Sequence, residues 1–253
     1  MLKHVAFPIF QGIVTVSSSF AIIPCICHNA HKRKGRVLSM KVTVVGANGQ
    51  IGKQLVHFLK EEEGYTPIAM VRKEEQADRF AKDGIESVLA DLEGSVDDLV
   101  NAFRGSDAVV FTAGSGGSTG LDMTLLIDLD GAAKTVEAAE KAGIPRFVMV
   151  SAFQADNREN WNDDLRPYYV AKHYADKVLM ASGLDYTIVR PGGLVNESGT
   201  GKVKIGDNIE PGSIAREDVA KVLLAVVGAK NTYGAAFDVV AGEDSVEDAV
   251  SKV

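Results

Sequence analysis

Three glycines at intervals of three residues follow a run of mostly β-branched residues in the sequence KVTVVGANGQIG, from Lys41 to Gly52. Gly46 would let the chain turn sharply, and Gly49 would let the backbone approach a diphosphate because no Cβ stands in the way. Gly52 would let a helix pack closely on the strand, and the amino end of that helix would offer free N–H groups to an anion. We therefore expect a dinucleotide-binding crossover, although a purely structural glycine turn has the same pattern. The predicted contacts are Gly46, Asn48, Gly49, Gln50, Ile51 and Gly52.

From Met40 onward, short β-branched runs alternate with longer amphipathic stretches. This alternation is typical of a parallel sheet with helices on both faces. Strands are predicted at 41–46, 67–72, 87–90, 108–113, 146–151, 186–191 and 235–240. Helices are predicted near 50–62, 74–82, 96–103, 122–142, 168–182 and 216–229, with long loops at 152–167 and 191–215. The fold class is therefore α/β, a Rossmann-like doubly wound parallel sheet over residues 40–253 with a small C-terminal annex on the substrate side.

Charge and cysteine content limit the classes of partner. Residues 1–39 carry a net charge of +5 and the remainder carries −12, so the body would repel nucleic acid. Both cysteines, Cys25 and Cys27, precede Met40, which excludes a disulfide framework or a thiolate metal site in the body. A reducing, cytoplasmic location suits this composition. Cys25, Cys27, His28 and His31 do not have the spacing of a zinc site, so no metal is expected.

The N-terminal extension, residues 1–39, has three interpretations. An uncharged apolar run followed by HKRKGR resembles a membrane anchor, but Pro8, Pro24 and a serine run weaken that interpretation. An acid-free, basic leader is also compatible with an organelle transit peptide. The third interpretation, which we favour, is that these residues lie upstream of the true start at Met40 and are not part of the fold. A membrane is therefore a partner only if the extension is retained as an anchor.

The end of the second predicted strand indicates which dinucleotide binds. An acidic side chain there would hold a ribose 2′-hydroxyl, but the sequence MVRKEEQ places Arg72 and Lys73 first. A guanidinium can grip a 2′-phosphate in bidentate fashion. The residues favour NADP over NAD, although Arg72 as an ordinary solvated surface cation is the alternative.

Two further segments fit the same cofactor. Asp91 and Leu92 follow the third strand, where a short acid could face the adenine, although Asp91 could instead cap the next helix. The segment TAGSGGSTG follows the fourth strand, where its glycines would let the backbone lie along the cofactor. Mere flexibility is the alternative for that loop. The predicted contacts in it are Thr112, Ala113, Gly114 and Ser115.

One Tyr-x-x-x-Lys pattern, Tyr168 with Lys172, opens the helix before the sixth strand. Residues four apart share a helix face, so the phenol and the ammonium would be neighbours. A nearby positive charge is expected to lower the pKa of Tyr168 from about 10 toward the working pH. Such a tyrosine can give or take the proton on a carbonyl or hydroxyl oxygen while hydride moves to or from a nicotinamide.

The segments GANGQIG, VSAFQADN, YYVAK and LDYTIVRPGGL together resemble the atypical branch of the short-chain dehydrogenase/reductase superfamily, the NAD(P)-binding, epimerase/dehydratase-like proteins of bacteria. The resemblance implies that Tyr168 is the acid/base, that Lys172 holds the nicotinamide ribose and that Ser151 bonds the substrate oxygen. It also implies that Pro191, Gly192 and Gly193 border the nicotinamide. Where the superfamily has an active-site asparagine, Asp128 is the nearest counterpart, and a carboxylate cannot donate as an amide does. Ala152 would abolish the serine hydroxyl if the register were shifted by one.

Three functions agree with these features. The first is an NADP-dependent oxidoreductase of a small carbonyl or hydroxyl compound, acting through Tyr168, Lys172, Ser151 and Asp128 as a monomer or homodimer. The second is a non-catalytic sensor of NADP(H), and the third is an epimerase or dehydratase. The long loop before Tyr168 contains Trp161, which would either fold over bound substrate or anchor the loop on the body.

Overall fold

The computed structural model describes residues 39–117 and 119–253. The expectation for the N-terminal extension therefore lies outside the described residues, apart from Ser39. The Ser39 hydroxyl lies 2.7 Å from that of Thr66, and the first strand begins at Met40. None of the helices in the described part of the chain has both the length and the apolar character needed to span a bilayer.

The strands of the described residues are β1 (Met40–Val45), β2 (Tyr65–Val71), β3 (Glu86–Leu89), β4 (Ala108–Phe111), β5 (Arg146–Val150), β6 (Asp185–Pro191), β7 (Gly193–Val195), β8 (Lys202–Gly206), β9 (Ser213–Ala215), β10 (Ala235–Ala241) and β11 (Asp244–Ser245). Nine of them form a central sheet in the order β11-β8-β10-β6-β5-β4-β1-β2-β3. Every pair from β10 to β3 is parallel, whereas β8 runs antiparallel to both β10 and β11. The predicted doubly wound, mostly parallel α/β fold is confirmed.

Helices cover both faces of this sheet. They are α1 (Gln50–Glu61), α2 (Glu74–Lys82), α3 (Val96–Phe103), α4 (Leu121–Met123), α5 (Ala132–Ala142), α6 (Arg166–Met180), α7 (Arg216–Val227) and α8 (Val246–Ser251). One buried apolar cluster lies under α1, α2, α7 and α8, and a second lies under α3, α5 and α6. Successive side chains of a strand point to opposite faces of the sheet, so Val44 packs in the first cluster and Val45 in the second. This burial on both faces explains the near-continuous apolar runs of the strands.

Two predicted segments differ from the structure. The helix predicted over 122–142 is interrupted, because a π-helical segment, Thr124–Gly131, separates α4 from α5. The loop predicted over 191–215 is wrong, since it contains β7, β8 and β9. These strands have three to five residues each and are stabilised by distant partners, which a local pattern does not show. The annex is a two-stranded sheet in which β7 pairs with β9.

Candidate active site

A cleft of about 840 Å³ lies at the carboxyl ends of the parallel strands. This is the edge where ligands bind in open α/β sheets. Most of the predicted site residues line it. They are Gly46, Asn48, Gly49, Gln50, Ile51, Arg72, Leu92, Thr112, Ala113, Gly114, Ser115, Asp128, Ser151, Tyr168 and Lys172. Chain segments far apart in sequence are therefore brought to one surface.

The glycine turn between β1 and α1 has little room for side chains. Gly46 has φ of +81°, and a Cβ on it would lie 2.7 Å from backbone atoms of Ala113. A Cβ on Gly52 would overlap the carbonyl oxygen of Gly46 and the hydroxyl of Thr112. Gly52 does not line the cleft and instead allows α1 to pack closely. No side chain caps the amino end of α1 and its first turn contains no acid, so this end suits a diphosphate.

Arg72 lies on the cleft wall just after β2. Its backbone N–H and that of Lys73 both donate to Oε1 of Gln76, at 3.1 and 3.3 Å, which fixes the turn into α2. Within residues 39–117 and 119–253, no carboxylate forms an ion pair with the Arg72 guanidinium. Lys73 occupies the position before α2 and does not line the cleft. Of the two predicted cations, only Arg72 therefore lines the cleft.

Asp91 does not line the cleft, whereas its neighbours Ala90 and Leu92 do. Its carboxylate accepts the backbone N–H of Glu93 at 3.0 Å and so closes its own turn. The helix that follows is capped by Ser95 rather than by Asp91. The structure therefore places an apolar side chain, Leu92, where an acid facing the adenine was expected.

Pro191, Gly192 and Gly193 also do not line the cleft, although Leu194 does. The N–H of Gly192 donates to the Val239 carbonyl and that of Gly193 to the Gly212 carbonyl, both at 2.9 Å. A Cβ on Gly192 would run into the Gly212 carbonyl. These residues join β6 to the annex, and in this segment it is Leu194 that reaches the cleft.

Tyr168 and Lys172 lie one turn apart on α6, with the Lys172 Nζ 5.7 Å from the centre of the Tyr168 ring. The same Nζ forms an ion pair with Asp128 at 3.2 Å and donates to the Val150 carbonyl at 3.3 Å. The side chains of Lys172 and Asp128 are only 4% and 1% exposed. An ammonium has three protons, so one remains for another acceptor in the cleft.

Asp128 reaches this position from the π-helical segment. Such segments re-aim side chains and frequently occur at functional sites. Its second carboxylate oxygen accepts the backbone N–H of Ser115 at 3.0 Å, which ties the glycine-rich loop after β4 to Lys172. A Cβ on Gly114 would lie 3.2 Å from the same carboxylate. The loop therefore depends on Gly114 and Asp128 together.

The predicted lowering of the pKa of Tyr168 is wrong. Burial raises the pKa of this phenol, the charge of Lys172 lowers it, and the carboxylates of Asp128 and Asp176 raise it, with a net increase. The pKa of Lys172 is also raised: burial lowers it, but Tyr168 and Asp128 outweigh that effect. A charged Lys172 is thus largely neutralised by Asp128, and Tyr168 keeps its proton at neutral pH.

Ser151 lines the cleft immediately after β5, whereas Ala152 does not, so the structure brings the serine hydroxyl to the cleft. The Ser151 hydroxyl lies close enough to Asp176 to lower the pKa of that carboxyl, although burial, the larger effect, raises it overall. The geometry is not that of a hydrogen bond, and within the described residues neither Ser151 Oγ nor Asp176 Oδ1 has a partner. A buried hydroxyl without a partner is available to a substrate oxygen.

Asp176 and Arg190 were not identified from the sequence. The Nε of Arg190 donates to Asp176 at 3.0 Å, and its Nη1 pairs with Asp156 at 3.0 Å. Asp176 lies four residues after Lys172 and eight after Tyr168 on α6, so helical spacing was the available signal. Arg190 comes from β6 and could only be found through the fold.

Trp161 packs on the body and does not line the cleft. Its ring stacks on Tyr169 with centroids 5.7 Å apart and meets His173 edge-on at 5.5 Å. This arrangement corresponds to the anchor interpretation. Two residues of the same loop, Asp164 and Leu165, line the cleft. The described residues contain no group of three or more His, Cys, Asp or Glu side chains arranged to hold a metal.

Comparisons with known proteins agree with this geometry. A family model described as NAD(P)H-binding matches residues 46–230. An uncharacterised sugar epimerase of Bacillus subtilis, YhfK, is 58% identical over 214 residues, covering 85% of this chain and 100% of the relative. A candidate NAD-dependent epimerase/dehydratase from Bacillus halodurans is 45% identical with a TM-score of 0.80, over 85% of this chain and 100% of that one. The oxidoreductase YlbE of Lactococcus lactis is 32% identical with a TM-score of 0.78, over 85% of this chain and 96% of that one.

Proposed function

This chain belongs to the NAD(P)H-binding family of proteins similar to atypical short-chain dehydrogenases/reductases, and on that premise we propose that it is an NADP-dependent oxidoreductase of a small carbonyl or hydroxyl compound. The observation that carries the proposal is the cluster of Tyr168, Lys172 and Ser151 in the same cleft as the glycine turn. We further propose a cytoplasmic location, supported by the absence of cysteine from Met40 onward.

The residues present fit a nicotinamide dinucleotide. The glycine turn and the uncapped start of α1 would hold the diphosphate, and Arg72 would hold the 2′-phosphate of NADP. Leu92 and Ala90 offer an apolar wall to the adenine. The choice of NADP over NAD depends on Arg72 alone, because Lys73 does not line the cleft.

NADPH, when bound, supplies a hydride. The raised pKa of Tyr168 keeps its hydroxyl protonated, so it can donate to a carbonyl oxygen that becomes a hydroxyl. Ser151 Oγ, which has no hydrogen-bond partner among residues 39–117 and 119–253, would donate to the same oxygen and orient it. Lys172 stays charged beside Tyr168 and offers its remaining proton to the cofactor ribose. The protonated state of Tyr168 favours reduction of a carbonyl over oxidation of a hydroxyl.

An epimerase or dehydratase is the second candidate, favoured by the descriptions of two relatives. It would use the same Tyr168 while keeping the cofactor bound throughout the reaction. A sensor of NADP(H) without chemistry would not need Tyr168. The three functions therefore differ in whether NADPH is consumed and whether Tyr168 matters.

The test is a panel of carbonyl compounds assayed by loss of NADPH absorbance, with NADH in parallel. We expect turnover with NADPH, and we expect Tyr168→Phe to lower kcat/KM by about 100- to 10,000-fold while NADPH binding is retained. Tyr169→Phe is the matched control, because Tyr169 stacks on Trp161 and does not line the cleft. The oxidoreductase would be contradicted if NADPH bound but no compound of the panel consumed it. An equal loss of activity in Tyr168→Phe and Tyr169→Phe would also contradict it.

A further inference from the structure

Three exposed leucines give the cleft an apolar wall that is open to water. Leu121, Leu165 and Leu194 line it and are 62%, 50% and 37% exposed. They come from three separate elements: the start of α4, the turn before α6, and β7. Large exposed apolar side chains that converge on one cleft favour a ligand that covers them. A sugar has hydroxyls around its ring, so it would cover these apolar side chains less well than an apolar ligand.

Arg216 is the cation on this wall that the proposed mechanism does not use. Its side chain is half-buried, and its Nη1 donates to Asn196 Oδ1, a neutral acceptor, at 2.7 Å. No carboxylate among residues 39–117 and 119–253 forms an ion pair with it. The adjacent Glu217 is already held by Lys221 at 2.7 Å and by the Gly199 N–H at 2.8 Å.

The other charged residues of the cleft wall have different positions. Lys172 and Asp128 pair with each other, and Arg72 follows β2 on the cofactor side. Asp164 is exposed. Arg216 is therefore the guanidinium left for an anion on the side of the cleft that the annex forms.

The annex holds Arg216 beside the leucine wall. Leu194 of β7 pairs in register with Ile214 of β9, and Arg216 follows β9 directly. Arg216 also borders a second cavity of about 390 Å³, which it shares with Asn196 and Gln50. A guanidinium has donors for two parallel hydrogen bonds, and the bond to Asn196 leaves others free.

We propose that the substrate is an apolar carbonyl compound with an acidic group, and that Arg216 binds that acidic group while the leucine wall covers the apolar body. This inference rests on the proposed function, because the cofactor must occupy the other part of the cleft. Arg216 is then a specificity-determining residue.

The test compares 6-formyl-2-naphthoic acid with its methyl ester, by calorimetric titration of the protein saturated with NADP⁺, which permits no reduction. We expect the acid to bind about tenfold more tightly than the ester. Arg216→Gln should abolish this preference, Arg216→Lys should retain part of it, and neither should change NADP⁺ affinity. Arg104→Gln, at an exposed arginine outside the cleft, should behave as the wild type. Melting temperatures verify that each variant is folded.

Equal binding of acid and ester to the wild type would overturn the inference. So would an Arg216→Gln variant that loses NADP⁺ affinity but keeps its preference for the acid, because the guanidinium would then serve the diphosphate. If the acid is preferred through Arg216 and yet no carbonyl compound consumes NADPH, the proposed oxidoreductase fails and the anion site stands. If NADP⁺ does not bind, the same comparison on the free protein decides the inference separately.

Discussion

Two buried arginines lie at opposite ends of the parallel strands, the amino edge and the carboxyl edge of the sheet, and have different surroundings. Arg146, the first residue of β5, is 2% exposed and lies at the amino edge. Its donors bond to three backbone carbonyls and two threonine hydroxyls, those of Val226, Val227, Asp185, Thr187 and Thr232. The ring of Tyr233 lies 4.4 Å from the guanidinium carbon. Burial lowers the pKa of Arg146 to about 10, so it stays charged at neutral pH.

Arg190, near the end of β6, is 3% exposed and lies toward the carboxyl edge. Its partners are two carboxylates, Asp176 and Asp156, and its Nη2 has no partner among the described residues. Ser151 and Asp176, at the same edge, each have a buried oxygen that no other residue in the described part of the chain bonds.

The comparison distinguishes an arginine that is buried to stabilise the fold from one that is buried at the end of the strands where the candidate active site lies. At the amino edge the bonds of Arg146 satisfy the last carbonyls of α7, which is what a stable fold requires. At the carboxyl edge the charges are paired but the hydrogen bonds are incomplete; of Arg190, Asp176 and Ser151, only Ser151 lines the cleft, where a ligand oxygen could complete its bond. The two edges should therefore respond differently to substitution.

Arg190→Met is expected to have the largest effect on stability, about 3–5 kcal/mol near neutral pH, because it leaves Asp176 as a buried carboxylate without its partner. Arg190 lowers the pKa of Asp176 and Asp238, so its removal raises both. Carboxyls with a higher pKa in the folded state bind protons more tightly there, so stability is regained as the pH falls. Urea unfolding at about pH 7.5 and about pH 5.5 measures this. An equal loss at both pH values would contradict it.

Arg146→Met is expected to cost about 3 kcal/mol, because buried carbonyls lose their donors. The melting temperature should fall by roughly 6–12 °C. The loss should be the same at both pH values, since the bonded partners of Arg146 are carbonyls and hydroxyls that do not titrate. Arg104→Met, at an exposed position, is the control. A change in kcat per folded molecule of Arg146→Met would contradict the distinction between the two edges.

Arg72→Gln should weaken NADPH binding by about tenfold and leave NADH binding unchanged. The physical reason is the loss of a bidentate partner for the 2′-phosphate. Fluorescence titration with each nucleotide measures this, and the melting temperature should not change. Lys73→Gln is the matched control, because Lys73 does not line the cleft. An equal loss for both nucleotides would mean that Arg72 does not select NADP.

Asp128→Asn should have a smaller effect, seen in the pH profile of NADPH-driven reduction. Asp128 raises the pKa of Tyr168, so removal of its charge lowers that pKa. Reduction needs the protonated phenol, and the alkaline fall in kcat/KM should therefore move to lower pH. Asp130→Asn, an exposed residue two positions away that pairs with Lys134, should leave the profile unchanged. A shift toward higher pH would contradict the arrangement.

Features formed by residues close in sequence were predictable. The strand–glycine turn–helix unit around Gly46 and the alternating pattern of the sheet depend on neighbouring residues, and the fold follows from them. The pairing of Tyr168 with Lys172 depends only on helical spacing. By contrast, β7 and β9 pair with each other across a long stretch of chain, and their short sequences carry little periodic signal.

The sequence by itself determined the fold class, the glycine turn between β1 and α1 and the proximity of a tyrosine to a lysine, because these arise from local geometry. Only the tertiary structure decided the protonation balance, since burial of the Tyr168 phenol, with a further contribution from Asp128 of the π-helical segment, outweighs Lys172 and reverses the expected direction of its pKa. It also decided that Leu194 and Arg216 reach the cleft while Asp91 and Gly193 do not. The field at a buried group is the sum over charges that the fold, rather than the order of residues, brings together.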